Sequence, residues 1–259
     1  LNITETIFVN SIPDMPTVTN PPPYCQGDPP VALTAIGTDL KWYLAPSSGS
    51  SQSTPPTPVT SNPGTFSYYV SQTINGCESP RAEVEVVVNA TPVISISGNN
   101  SICVGESAQL TVNEVFSSYV WSPGGETTSS IPATPTTTTT YSVIGTDANG
   151  CSNSAQITVT VNAEPTASVN AGSSPICSGE DAVFTITGTP GADVTYKLNA
   201  GVETNITLSS SGSYSLPITN ATLDQELSLL KVTNTNTNCD VTLNITETVI
   251  VEPITPIPA

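Results

Sequence analysis

Short stretches of this chain alternate apolar and polar residues with a period of two. Ala82-Glu83-Val84-Glu85-Val86-Val87-Val88 is one such run, and Ala155-Gln156-Ile157-Thr158-Val159-Thr160-Val161 is another. Both are rich in β-branched residues and bounded by Pro, Gly or Asn, the pattern of half-buried β-strands. Periodic runs of Ala, Leu, Glu and Lys, which an amphipathic helix needs, are missing. The pattern therefore predicts an all-β chain.

Superimposed on the strands is a repeat marked by cysteines. Three frames open with Cys-x-Gly-acidic, at Cys25-Gln26-Gly27-Asp28, Cys103-Val104-Gly105-Glu106 and Cys177-Ser178-Gly179-Glu180. An aromatic follows each opening cysteine after 17, 18 or 19 residues: Trp42, Trp121 and Tyr196. A second cysteine closes each frame, twice just after Asn-Gly (Asn75-Gly76-Cys77 and Asn149-Gly150-Cys151) and once after Asn238 at Cys239. Asn-Gly favours the positive φ angles of a type I′ turn, so tight hairpins are expected before the last strand of frames one and two. A period of this size with one strand-borne aromatic between two cysteines fits an immunoglobulin-like sandwich, with Trp42, Trp121 and Tyr196 in its core.

Val-Asn-x-x-Pro recurs at Val9–Pro13, Val88–Pro92 and Val161–Pro165. At each site a β-branched strand ends and a proline forbids its continuation. The expected architecture is thus three tandem Ig-like antiparallel β-sandwich modules in an elongated array, at residues 11–90, 91–163 and 164–252. Leu1-Asn2-Ile3-Thr4-Glu5-Thr6 returns as Leu243-Asn244-Ile245-Thr246-Glu247-Thr248, an offset of 242 residues (243 − 1). Residues 1–10 are accordingly read as the last strand of a preceding repeat, and 253–259 as the start of the next.

Six cysteines in such a chain indicate an oxidising compartment. The simplest pairing is within frames: Cys25–Cys77, Cys103–Cys151 and Cys177–Cys239. Against it, the opening and closing turns of an Ig-like sandwich lie at opposite ends, whereas a disulfide needs Cα atoms about 4.4–6.8 Å apart. The alternatives are an opening cysteine partway along a strand beside the last one, pairing across the joints (Cys25–Cys151 and Cys103–Cys239, leaving Cys77 and Cys177 for neighbouring repeats), or reduced thiols. The spacing does not fit zinc, since there is no Cys-x-x-Cys and no histidine.

Charge narrows the function. With 21 acidic and only 4 basic residues, a net charge of −17, the chain lacks the cations that neutralise nucleic acid or anionic lipid. No apolar stretch approaches the ~20 residues of a membrane span. The absence of histidine removes the commonest general base, and no nucleophile elbow, phosphate loop or dinucleotide fingerprint is present. An enzyme is not expected. The acidic residue of each opening turn reads first as a backbone cap. Its alternative is a calcium ligand at the joints, with Asp28, Glu106, Asp147, Glu180 and Asp181 as candidates. The Ser/Thr/Pro-rich segments Ser47–Thr60 and Thr134–Thr140 are solvated edges or contact loops.

The run Pro135-Thr136-Thr137-Thr138-Thr139-Thr140-Tyr141-Ser142-Val143, continued by Gly145-Thr146-Asp147-Ala148-Asn149-Gly150-Cys151 and Val159-Thr160-Val161-Asn162, resembles Ig-like repeats of giant Bacteroidota surface proteins. Ala167-Ser168-Val169-Asn170-Ala171-Gly172-Ser173-Ser174-Pro175-Ile176-Cys177-Ser178-Gly179-Glu180 resembles the SprB-type repeat of gliding-motility adhesins. The first frame, with its Pro21-Pro22-Pro23 run, fits this pattern less well. The resemblance implies type IX export and display as cell-surface filaments that adhere to a substratum. Partners would be neighbouring repeats, an external surface or polysaccharide, and secretion or gliding machinery reached through other regions. Carbohydrate- or protein-binding modules, or the spacer of an exported enzyme, are the competing functions.

Overall fold

The computed structural model of the chain describes residues 9–254. Most of the segments 1–10 and 253–259, read above as parts of adjoining repeats, lie outside the described residues. Every regular element among the described residues is a strand. Contacts divide the chain into two compact units. One comprises the described residues through Ser95 with Val112–Ser129 and Ser142–Ala155; the other comprises Ile96–Thr111, Ser130–Tyr141 and the described residues from Gln156.

In the first unit, a four-stranded sheet runs in the order Tyr24–Cys25, Ala82–Asn89, Gly64–Ser71, Lys41–Tyr43. The period-two run behaves as its pattern demands. Val84 and Val86 are fully buried and Val88 nearly so, while Glu83 and Glu85 face out. Full burial of a valine contributes roughly 1.5–3 kcal/mol. Trp42 lies opposite Val70 and packs into this core with Leu33 and Tyr68. Ser118–Ser122 pairs antiparallel with Thr139–Thr146, setting Trp121 opposite Val143. Gly145 is required there, because a Cβ would stand 2.8 Å from the Phe116 ring.

In the second unit, Ala108–Val112 pairs with Ser130–Ala133, placing Leu110 opposite Ile131. Farther along the chain, two sheets close a sandwich. One runs Ala167–Ala171, Ala182–Gly188, Ser213–Ile218; the other runs Glu203–Thr207, Asp193–Leu198, Gln225–Thr233, Asp240–Val249. Phe184, Ile186, Val194, Leu227, Leu229, Val232 and Val249 are fully buried in its core.

The all-β fold holds, and to its antiparallel ladders the structure adds three short parallel pairs. Each opening cysteine sits on a two- or three-residue strand lying parallel to the last strand of its frame. The registers are Cys25↔Asn89, Cys103↔Asn162 and Cys177↔Glu252. These short strands reach the end of the last strand just where the chain leaves the frame.

Candidate functional site

The three opening turns share one construction. In each, the acidic residue's N–H donates to the cysteine carbonyl, at 3.0, 3.1 and 3.0 Å for Asp28, Glu106 and Glu180. Glycine takes the φ that such a turn requires at its third position: 87° at Gly27, 84° at Gly105 and 94° at Gly179. The acidic side chain turns back to accept the cysteine N–H, at 2.7 Å in Asp28, 2.9 Å in Glu106 and 2.8 Å in Glu180. The residue after each cysteine then donates to the end of the last strand: Gln26 to Asn89, Val104 to Asn162 and Ser178 to Glu252. Turn, cap and strand end form one hydrogen-bonded assembly, repeated three times.

The closing hairpins are less uniform. Asn75 and Gly76 both have positive φ, 50° and 79°, and join Thr73–Ile74 to Cys77–Glu78 with Ile74 opposite Cys77. This is the type I′ hairpin read from the sequence. Asn149-Gly150 differs, since only Gly150 is left-handed, at 83°. There the Asp147 carboxylate accepts the N–H groups of Asn149 and Cys151, both at 2.9 Å, while Gly150 N–H donates to the Asp147 carbonyl at 3.2 Å. An Asx-capped type I turn with a glycine bulge replaces the expected type I′ turn, because Asp147 offers the backbone a nearer acceptor. Before Cys239, Asn238 is left-handed at 59° and donates to Asn234.

These turns carry the disulfides. Cys25 bonds Cys151 and Cys103 bonds Cys239, with Cα separations of 5.5 and 5.7 Å. Pairing within frames, the simplest reading, is overturned, as is the inclusion of Cys77 and Cys177 among the bonded residues; both remain thiols. The parallel register explains why. Cys177 stands opposite Glu252, while Cys239 precedes the ten-residue strand Asp240–Val249, which spans ~34 Å at about 3.4 Å per residue. Cys25 and Cys77 are likewise kept apart by Ala82–Asn89, since Cys25 pairs with its last residue. Cys25 and Cys103 lie at the exits of their own frames, so each meets the closing hairpin of the next.

The other candidate residues are buried aromatics or carboxylates hydrogen-bonded to backbone N–H groups. Trp42 and Trp121 are 1% exposed and Tyr196 is 8% exposed. Trp121 Nε1 donates to the Thr128 carbonyl at 2.8 Å, whereas the Trp42 Nε1 is buried with no acceptor among the described residues. Burial pushes the Tyr196 phenol above its usual value, with Tyr214 adding to the effect. The five calcium candidates each accept backbone N–H groups; Asp181 takes that of Asn220 at 2.9 Å. No group of three or more His, Cys, Asp or Glu is placed to hold a metal ion among the described residues.

Both Ser/Thr segments are bound back onto the fold. Within Ser47–Thr60, Gln52 exchanges two backbone hydrogen bonds with Trp42, Ser48 O accepts from Arg81, and Thr60 Oγ1 donates to the Asp28 carbonyl. In Thr134–Thr140, Thr138 Oγ1 accepts the Val161 N–H. A polar cluster that the sequence did not signal lies beside Cys77. Glu78 accepts hydrogen bonds from Ser71 Oγ and the Tyr43 hydroxyl and lies 3.8 Å from Lys41, while Arg81 stacks on the Tyr43 ring at 3.3 Å. The Ser71 and Tyr43 hydrogen bonds, with the two cations, hold the Glu78 carboxyl below its ordinary 4.5 against a smaller desolvation effect.

Against known proteins, no curated protein matches the chain. Many solved structures align with it, three of them as follows. A three-immunoglobulin segment of titin aligns at 12% identity over 92% of this chain and 95% of that one, with a TM-score of 0.46. A 1.5-MDa bacterial ice-binding adhesin aligns at 14% identity over 83% and 86%, with a TM-score of 0.38. Murine CEACAM1b aligns at 14% over 62% and 100%, with a TM-score of 0.34. Residues 13–89, which hold the first opening turn, Trp42 and the first closing hairpin, match the family described as Ig-like domain CHU_C associated.

Proposed function

We propose that this chain is a non-catalytic, force-bearing repeat segment of an extracellular adhesin filament. The observation that carries the reading is the interleaving of the disulfides. Cys103 lies inside the loop closed by Cys25–Cys151, and Cys151 lies inside the loop closed by Cys103–Cys239. A staple confined to one domain limits only how far that domain can unravel. Interleaved staples give tension a covalent route that runs on from frame to frame. They also require an oxidising compartment, in keeping with export. The acidic surface keeps neighbouring copies soluble and apart.

On the sequence resemblance, the filament is a Bacteroidota gliding-motility adhesin delivered by type IX secretion, touching an external surface or polysaccharide. An antibody to this chain should decorate intact cells that produce it and reduce their attachment. Labelling that appears only after the envelope is broken would overturn the reading. On a glycan array the chain alone should not bind; saturable binding would instead favour a carbohydrate-recognition module.

A further inference from the structure

Two cysteines are left over, and the bonded ones show what belongs at each. In both observed pairs the opening-turn cysteine of one frame joins the closing-hairpin cysteine of the next, at sequence separations of 126 and 136 residues. Cys177 is an opening-turn cysteine with the same glycine, the same capping carboxylate and the same parallel register as Cys25 and Cys103. Cys77 is a closing-hairpin cysteine. One is a donor end without its acceptor, and the other is an acceptor end without its donor.

Burial distinguishes the filled positions from the empty ones. The bonded closing cysteines Cys151 and Cys239 are each 1% exposed, whereas Cys77 is only half-buried. The bonded opening cysteines are half-buried, whereas Cys177 is exposed. Residues close in sequence to each free cysteine, though neither cysteine itself, also line an open cleft. One of about 470 Å³ is lined by Leu223, Asp224, Ser178, which follows Cys177 in the chain, and Val251, on the strand paired with Cys177. Another of about 340 Å³ is lined by Asp14, Asn75, Asn10, whose carbonyl accepts from the Cys77 thiol, and Ile74, the strand partner of Cys77. Leu223 is 76% and Ile74 39% exposed at these places.

The 242-residue recurrence of Leu-Asn-Ile-Thr-Glu-Thr supplies the missing partner. Displaced by that period, Cys77 falls 142 residues after Cys177 (77 + 242 − 177), continuing the series of observed separations. We propose that Cys177 of one copy of this chain and Cys77 of the following copy form a third staple. The bond forms by thiol–disulfide exchange with a disulfide oxidant. The Cys177 or Cys77 thiolate attacks the oxidant, releasing one thiol. The second cysteine thiolate then displaces the other, so that two cysteine thiols are oxidised and one oxidant disulfide is reduced to two thiols. The new loop interleaves with Cys103–Cys239 as the first two interleave, so a tandem array of copies is stapled throughout. Because the readout is a covalent bond, this inference stands or falls independently of the adhesin role.

The test is a two-copy chain in which residue 243 of the first copy is residue 1 of the second. Cys77→Ser in the first copy and Cys177→Ser in the second leave only the first copy's Cys177 and the second copy's Cys77. In a glutathione redox buffer these should fall from two free thiols to none, with a Cys177–Cys77 peptide in the non-reducing digest. Two thiols that stay titratable, or that carry glutathione, would overturn the proposal. The reverse arrangement leaves the first copy's Cys77 and the second copy's Cys177, which should remain unlinked to each other. A bond between those two would show indiscriminate oxidation and overturn it equally. Neither residue takes part in a disulfide within the single chain, and a serine hydroxyl can still donate to the Asn10 carbonyl as the Cys77 thiol does, so an unchanged melting temperature verifies the fold of each variant.

Discussion

The staples fix how far the chain can be drawn out once its sandwiches give way. Between Cys25 and Cys239 the backbone runs 214 residues (239 − 25), or ~750 Å at about 3.5 Å per extended residue. With both disulfides closed, the shortest covalent route crosses to Cys151, returns along the backbone to Cys103 and crosses to Cys239. That route contains 48 residues (151 − 103), only ~170 Å at the same extension. Opening Cys25–Cys151 alone, by a paired Ser substitution, shifts the shortest route to the 78 residues from Cys25 to Cys103, ~270 Å. Opening Cys103–Cys239 alone leaves the 88 residues from Cys151 to Cys239, ~310 Å. The single gains are therefore 30 and 40 residues (78 − 48 and 88 − 48), and the double gain is 166 (214 − 48). Disulfides closing separate loops would give additive gains, so this excess is the signature of interleaving. Single-molecule stretching between terminal handles measures the differences directly, since the segments outside Cys25 and Cys239 contribute equally to every variant. Cys77→Ser should leave the extended length unchanged. If it instead lengthened the chain by the 52 residues between Cys25 and Cys77, ~180 Å, pairing within frames would be restored and the force-route reasoning would fail.

Three further outcomes follow from side-chain environments. Trp121→Phe should destabilise the chain by about 1 kcal/mol more than Trp42→Phe, because it abandons the bond to Thr128 while Trp42 Nε1 has no acceptor to lose; urea unfolding of both variants checks the order. Asp28→Ala removes the acceptor for the Cys25 N–H on an exposed turn and should cost about 1 kcal/mol, most of it recovered in Asp28→Asn; equal unfolding midpoints for all three proteins would refute the cap. The Glu78 carboxyl titrates below its unfolded value of 4.5, so its stabilising contribution is complete above that pH and is lost as pH falls through the lower folded value. The melting-temperature gap between the native chain and Glu78→Gln should accordingly be present at neutral pH and close on acidification; a gap that widened in acid would reverse the sign of the shift.

Much of the local structure was legible because it is governed by neighbours in sequence. Cys-x-Gly-acidic specifies a left-handed third position and a carboxylate one turn away, and all three copies fold accordingly. Strand identity and the inward faces of Ala82–Asn89 followed from period two. Where two local signals competed, as at Asp147 and Asn149-Gly150, the side-chain acceptor prevailed over the dipeptide preference. The disulfide partners were not legible in the same way. They depend on the register of strands only two or three residues long, running parallel to a partner some sixty to seventy-five residues away. No local preference encodes that register. The Glu78 cluster escaped for the same reason, since Lys41, Tyr43, Ser71 and Arg81 converge only after three strands and a hairpin are in place.

What the connectivity changes is the meaning of the sandwiches themselves. Closing a loop of 126 or 136 residues constrains the unfolded chain by about 5 kcal/mol in the chain-entropy model, and interleaved loops restrict each other, so the two contributions do not simply add. In the proposed force-bearing role, however, this stabilisation is not what the chain needs most. Fully buried positions such as Val84, Val86 and Leu227 contribute only while the sheets persist, and their resistance ends once a strand is pulled free. A covalent route does not end there. It caps extension in the unfolded segment and keeps the two ends of every loop close together, which lowers the entropic cost of finding the native register when tension drops. Placing the opening cysteine at the exit of its frame achieves this with one residue per turn. From that position Cys25 and Cys103 reach the following frame, and the closing cysteines Cys151 and Cys239 are taken by the frame before.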